Sequence, residues 1–143
     1  MSMSRRSVLV VDDESGIRQV LTRVLPTLGY EVCVADSVRA GLSILAERPM
    51  DVVLCDLRMP ELNGLELQKA LRGGASRDGQ PEGRNAAPAF VLMSGYATVA
   101  EVALVFRGGA ADFLQKPFGR DELQETLDRA LKGRELVTAV VDV

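Results

Sequence analysis

With 143 residues, 47% hydrophobic and 26% charged, the chain has the size and balance of one globular domain able to bury a core. A net charge of −3 argues against a general nucleic-acid-binding surface, and the absence of histidine excludes imidazole catalysis and histidine-ligated metals. Two cysteines cannot form a disulfide framework, no secretory segment is read, and no run approaches the ~20 apolar residues of a membrane span. We therefore expect a cytoplasmic protein without membrane contact.

In chain order, Val8–Val11 reads as a first strand. It is followed by an amphipathic helix with Ile17, Val20, Leu21, Val24, Leu25 and Leu28 on one stripe. Pro26 should kink or fray its last turn, and Gly29 should stop it. Val32–Ala35 is the second strand, and Val38, Leu42 and Leu45 mark a second helix with Ser37 as N-cap. Val52–Cys55 leads into Asp56, and a third helix is expected from about Leu65 to Leu71. Phe90–Met93 is the fourth strand, and the helix with Val99, Val102, Ala103 and Phe106 should stop at Gly108-Gly109. Phe113–Leu114 is the fifth, followed by a helix with Leu123, Leu127, Ala130 and Leu131. All five runs read as strands buried on both faces.

Five alternations of strand and helix predict a parallel sheet covered on both sides, with ligands outside the carboxyl ends of the strands. That edge receives Asp12 and Asp13 from strand one, Asp56 from strand three, Ser94 from strand four and Lys116 from strand five. Three carboxylates against one ammonium leave roughly −2, which one divalent cation would balance. The oxygen ligands suit Mg²⁺. A carboxylate beside Mg²⁺, with an ammonium and a hydroxyl in reach, is equipped for phosphoryl transfer.

The stretches "VLVVDDE", "VVLCDLRMPELNGLEL", "FVLMSGYATVAEV" and "GAADFLQKPF" carry these residues in one order. In that order and near-spacing the chain resembles the bacterial response-regulator receiver domains of two-component signalling. The run "MSGYATVAEV" is similar to receivers of the nitrogen-regulation type, which precede an ATPase and a DNA-binding domain. The resemblance implies a flavodoxin-like α/β fold with five helices and strand order 2-1-3-4-5. It implies that Asp56 accepts a phosphoryl group from a sensor histidine kinase, with Mg²⁺ on Asp12, Asp13, Asp56 and the Arg58 backbone carbonyl. Lys116 would bind the phosphoryl group through a cis Lys116-Pro117 bond, Ser94 would move toward it, and Phe113 would turn inward as the coupled switch. The surface of helix four, strand five and helix five would then carry the signal, and a homodimer is expected there. Arg58 and Tyr96, each two residues beyond a site residue, would slow hydrolysis of the phosphoryl group.

Simpler readings stand beside these. Asp12-Asp13 could be a solvated turn, Ser94 an ordinary turn before Gly95, Phe113 a core residue, and Glu14 a first-turn helix charge with only a minor role near the metal. Cys33 and Cys55, two strands apart in the implied order, should stay reduced. A phosphatase of the haloacid-dehalogenase type would need an acid where Arg58 stands. A nucleotide-binding protein would need a glycine-rich phosphate loop that the chain lacks. The remaining rival is a receiver-like interaction module that is never phosphorylated. We expect a receiver domain over residues 1–132, with 73–88 a flexible insert between helix three and strand four. Residues 133–143 would continue the last helix, add a strand or form a linker. No output motif follows, so the output domain is absent from this chain, which is either a single-domain regulator or part of a longer one.

Overall fold

In a computed structural model the described residues are 5–60, 63–75 and 87–141, excluding the side chains of 72–75 and 134–141. The strands are β1 (Arg6–Val11), β2 (Tyr30–Ala35), β3 (Val52–Asp56), β4 (Ala89–Ser94) and β5 (Asp112–Gln115). They form one parallel sheet in the order β2-β1-β3-β4-β5, as the resemblance implied. The helices are α1 (Ser15–Thr27), α2 (Val38–Glu47), α3 (Gly64–Ala75), α4 (Val99–Arg107) and α5 (Arg120–Val141).

Alternation along the strands divides the core in two. Val8, Val10, Val52, Leu54, Val91, Met93 and Leu114 pack with Leu21 and Leu25 of α1 and Leu123 and Leu127 of α5. Leu9, Val11, Val53, Cys55, Phe90 and Leu92 face the other way, onto Val38 of α2, Leu67 of α3 and Val105 of α4. The first row positions the site. Asp12 follows Val10 by two residues, Asp56 follows Leu54, and Lys116 follows Leu114, so all three continue one face beyond the core. Pairing persists that far: Asp12 N donates to Ala35 O at 3.0 Å, and Lys116 N to Ser94 O at 2.9 Å.

Several sequence expectations need correction. Only β1, β3 and β4 are buried along nearly their whole length; β2 at the sheet edge exposes Glu31 and Val34. An edge strand has a neighbour on one side only, so helices cover its faces incompletely. Helix α3 continues through Gly73 and Gly74 to Ala75, three residues into the expected insert; residues 76–86 of that insert lie outside the described residues. Pro26 stays within α1, whose end is tightened by Leu28 N donating to Leu25 O and Gly29 N to Pro26 O. Gly29 follows with φ of 97°, a conformation that costs a residue with a Cβ. Of the alternatives for the tail, the backbone takes the helical one to Val141. Ser37 caps α2 as expected, its hydroxyl accepting from Ala40 N at 3.1 Å. Cys33 and Cys55 are free.

Candidate functional site

Asp12, Asp13 and Asp56 bring carboxylate oxygens within 4.8 Å of one another at the carboxyl edge of the sheet. Asp12 is fully buried, Asp56 is 6% exposed, and Asp13 is open to solvent. Lys116 reaches them from the loop after β5, its Nζ 2.8 Å from Asp12 Oδ2 and 3.6 Å from Asp56 Oδ1. The Lys116-Pro117 bond is cis. The other oxygen of Asp12 accepts from Glu14 N at 2.9 Å, and the Asp12 carbonyl accepts from Arg18 Nη1 at 2.7 Å. Asp12 is thus held through its side chain by the N-cap of α1 and through its carbonyl by Arg18 of that helix.

Burial, and then the charge of Asp12, push the Asp56 pKa up to about 6; the Lys116 ammonium and a hydrogen bond from the Arg58 backbone oppose this. Burial also works against the Lys116 charge, but its hydrogen bond to Asp12 and the fields of Asp12 and Asp56 raise its pKa overall. Burial, Asp56 and Asp12 push the neighbouring Cys55 thiol up, so it remains protonated and unreactive.

The remaining expected site residues lie along one flank. Ser94, 3% exposed, is engaged in the turn that follows it: its hydroxyl donates to Tyr96 O at 2.7 Å and accepts from Tyr96 N at 3.0 Å. The ordinary-turn reading therefore describes this conformation of Ser94. Phe113 is half-buried against the α2, α3 and α4 side of the core. Arg58 Nε donates to Tyr96 O at 3.2 Å, and its Nη2 pairs with the Glu101 carboxylate. The guanidinium carbon lies 6.0 Å from the centroid of the Tyr96 ring, which is itself 74% exposed.

Two participants escaped the sequence reading, and a third was underrated. Glu14, expected in the first turn with only a minor role near the metal, stands instead at the N-cap of α1 and places Oε1 3.1 Å from Lys116 Nζ. Arg18 was not singled out, although it stands near the start of α1, four residues beyond the N-cap Glu14. Glu101 closes a capping box with Thr98 at the start of α4, and the spacing Thr98-x-x-Glu101 was the available signal. The Thr98 backbone N–H, together with the Arg58 charge, holds the Glu101 carboxyl below the usual range.

The response regulator receiver domain family matches residues 8–128. The chain belongs to that family. Regulatory protein AtoC of Escherichia coli K12 is 35% identical over 125 residues, covering 87% of this chain and 25% of that protein. The C4-dicarboxylate transport transcriptional regulatory protein DctD of Pseudomonas aeruginosa is 33% identical, covering 94% of this chain and 27% of that protein. Among solved structures, the Vibrio cholerae chemotaxis protein CheY4 superposes with a TM-score of 0.77 at 30% identity, covering 90% of this chain and all of that one. Brucella abortus NtrX gives 0.81 at 28% identity over 97% of this chain and 30% of that chain. This receiver spans about a quarter of the length of the curated relatives it matches. Those relatives bear out the nitrogen-regulation likeness read from "MSGYATVAEV", and the neighbours share its flavodoxin-like fold. It is a phosphoacceptor domain of two-component signalling.

The receiver family implies Mg²⁺, and the donor set fits. Three clustered carboxylates offer hard oxygen ligands, and their excess negative charge over Lys116 is the kind a divalent cation offsets. Among the described residues no helix is long and apolar enough to cross a membrane.

Proposed function

We propose that Asp56 accepts a phosphoryl group from a phosphohistidine of a sensor kinase, with Mg²⁺ held by Asp12, Asp13, Asp56 and the Arg58 backbone carbonyl. The observation that carries this reading is the convergence of three carboxylates within 4.8 Å with one ammonium bridging two of them. An Asp56 oxygen attacks phosphorus in line, the P–N bond breaks with its electron pair passing to the ring nitrogen, and the imidazole leaves neutral because its second nitrogen already carries a proton. Bound Mg²⁺ supplies charge neutralisation for the phosphoryl oxygens. Lys116, already raised in pKa and aimed into the cluster, pairs with another of those oxygens. Asp56 itself must be ionised to attack, and a pKa of about 6 leaves it so at neutral pH.

The switch follows from the turn at Ser94. Its hydroxyl leaves Tyr96 O for the phosphoryl group, and Phe113 moves inward, reshaping the face of α4, β5 and α5. That is a shift between two populations rather than a continuous deformation. Tyr96, Val99, Leu104 and Phe106 already expose apolar surface on and before α4, which supports a homodimer there and control of an output domain like those of the activator-type relatives. Sedimentation that finds only monomer near ~100 μM, with and without beryllofluoride, counts against the dimer.

The deciding experiment is labelling by acetyl phosphate read on a Phos-tag gel, with Mg²⁺ or with EDTA. Labelling of the wild type in Mg²⁺, absent in EDTA and in Asp56→Asn, is expected. Labelling that survives Asp56→Asn would refute the acceptor assignment. A receiver-like module that is never phosphorylated would leave all lanes unlabelled.

A further inference from the structure

The turn that retains Ser94 is held from a second direction, by a residue outside the acidic cluster. The Tyr96 carbonyl accepts two hydrogen bonds, one from Ser94 Oγ at 2.7 Å and one from Arg58 Nε at 3.2 Å. Arg58 is fixed in turn by Glu101, third residue of α4, whose Oε1 also accepts from Thr98 N at 2.9 Å and Thr98 Oγ1 at 3.2 Å. The loop that follows Asp56, the turn that follows Ser94 and the cap of α4 therefore share one continuous set of hydrogen bonds.

We infer that Glu101 is a positioning residue for the Asp56 site: by holding Arg58 over the start of α4 it retains the resting turn at Ser94–Tyr96 and so sets how readily the site is activated. The inference rests on the phosphoacceptor reading of Asp56. Both donors to the Tyr96 carbonyl are groups that a phosphoryl group on Asp56 would attract. Ser94 is a hydroxyl donor, and Arg58 is a guanidinium two residues beyond the acceptor. A phosphoryl dianion pairs strongly with arginine. Glu101 competes for the same guanidinium, and the Arg58 side chain is half exposed, so its hold is the modest one of an exposed ion pair. A modest hold suits a threshold: it biases the resting state and still yields to the dianion. When Arg58 swings away, the Tyr96 carbonyl loses one donor, and release of Ser94 costs less.

The rival account makes Glu101 a cap and nothing more. Glu101→Gln separates the two, because glutamine serves the third position of a capping box while losing the charge that holds Arg58. The probe is beryllofluoride with Mg²⁺, titrated into the 143-residue chain and followed through the backbone amide shifts of Tyr96 and Thr98. Glu101→Gln should bind it about threefold more tightly than wild type, and the gain should vanish when Arg58→Gln is the background. Equal affinity of wild type and Glu101→Gln overturns the inference, as does an equal gain in the Arg58→Gln background, since either removes Arg58 as the intermediary. A wild type that does not respond to beryllofluoride at all overturns the phosphoacceptor reading itself, and the inference with it.

Discussion

Lys116 Nζ lies 2.8 Å from Asp12 Oδ2 across 104 residues of sequence, and it joins the loop after the last strand of the sheet to the end of the first. Asp12 is fully buried and the Lys116 side chain only 13% exposed, so water screens this pair poorly. Truncating one partner leaves the other buried and unpaired, which costs about 3 kcal/mol in comparable pairs. Lys116→Met should therefore lower stability in urea by roughly that amount at pH 7.5 in EDTA. Adding Mg²⁺ should recover part of the loss. A change below ~1 kcal/mol would place the lysine in solvent rather than in the site.

Asp56 is held in a form that the fold disfavours. Its folded-state pKa of about 6 exceeds the ordinary carboxylate value, so the folded protein binds a proton more readily than the unfolded chain does. The stabilising contribution of that proton is complete below about pH 4 and is lost as pH rises through about 6. Above that window the wild type carries the full penalty of an ionised, buried carboxylate, and asparagine does not. In EDTA, Asp56→Asn should be more stable than wild type by roughly 3 kcal/mol at pH 7.5. The advantage should shrink to nothing toward pH 4. Urea midpoints across that range decide it; an advantage independent of pH would mean that ionisation of Asp56 is not the cause.

The parts legible in the sequence are those governed by local period and by position along a strand. Val10 to Asp12, Leu54 to Asp56 and Leu114 to Lys116 each step two residues past a core position, so strand alternation puts the three groups on one face, and the strand order with the reach of the lysine brings them together. Contacts between side chains far apart in sequence were not legible. Nothing near Arg58 announces Glu101, 43 residues on, because a flexible side chain chooses its partner only after the loops are placed. Glu14 is the same case, reaching Lys116 102 residues away. The exposure of β2 was missed because an apolar run of four residues reads alike at the centre and at the edge of a sheet. The extension of α3 through Gly73 and Gly74 runs against helix propensity, and no described contact accounts for it.

Gly64 opens α3 directly behind Asp56. A Cβ there would stand 2.8 Å from the Asp56 carbonyl oxygen, 3.2 Å from Leu57 Cα and 2.7 Å from Leu92 Cδ2. The leucine methyl can turn aside, but the two backbone contacts cannot move without dragging Asp56 with them. Gly64 N also donates to Leu57 O at 3.1 Å, which fixes the spacing. We expect Gly64→Ala to cost about 2 kcal/mol of stability, as overpacking of a tight contact does. Acetyl phosphate labelling should fall more than stability explains when both are measured under fully folded conditions. Normal stability with normal labelling would mean that α3 can withdraw from the loop freely.

The lifetime of the phosphoryl group should depend on Arg58 and Tyr96 together. Hydrolysis needs a water in line with the phosphorus–oxygen bond and a group that orients it. Neither a guanidinium nor a phenol two residues beyond a site residue accepts that water's proton, and Arg58 already lies across the Tyr96 carbonyl. Once the dianion forms, the same guanidinium can pair with its oxygens and hold the product state. The wild type should therefore keep its phosphoryl group for minutes to hours, a lifetime suited to transcriptional timing. In Arg58→Asn/Tyr96→Ala an amide stands where the cation was and the phenol is gone, so decay should be about tenfold faster. Single-turnover decay of the isolated, phosphorylated proteins in Mg²⁺ measures this without interference from the rate of labelling. If the two proteins decay alike, Arg58 and Tyr96 do not shield the phosphoryl group, and its lifetime is set by the acidic cluster and Lys116.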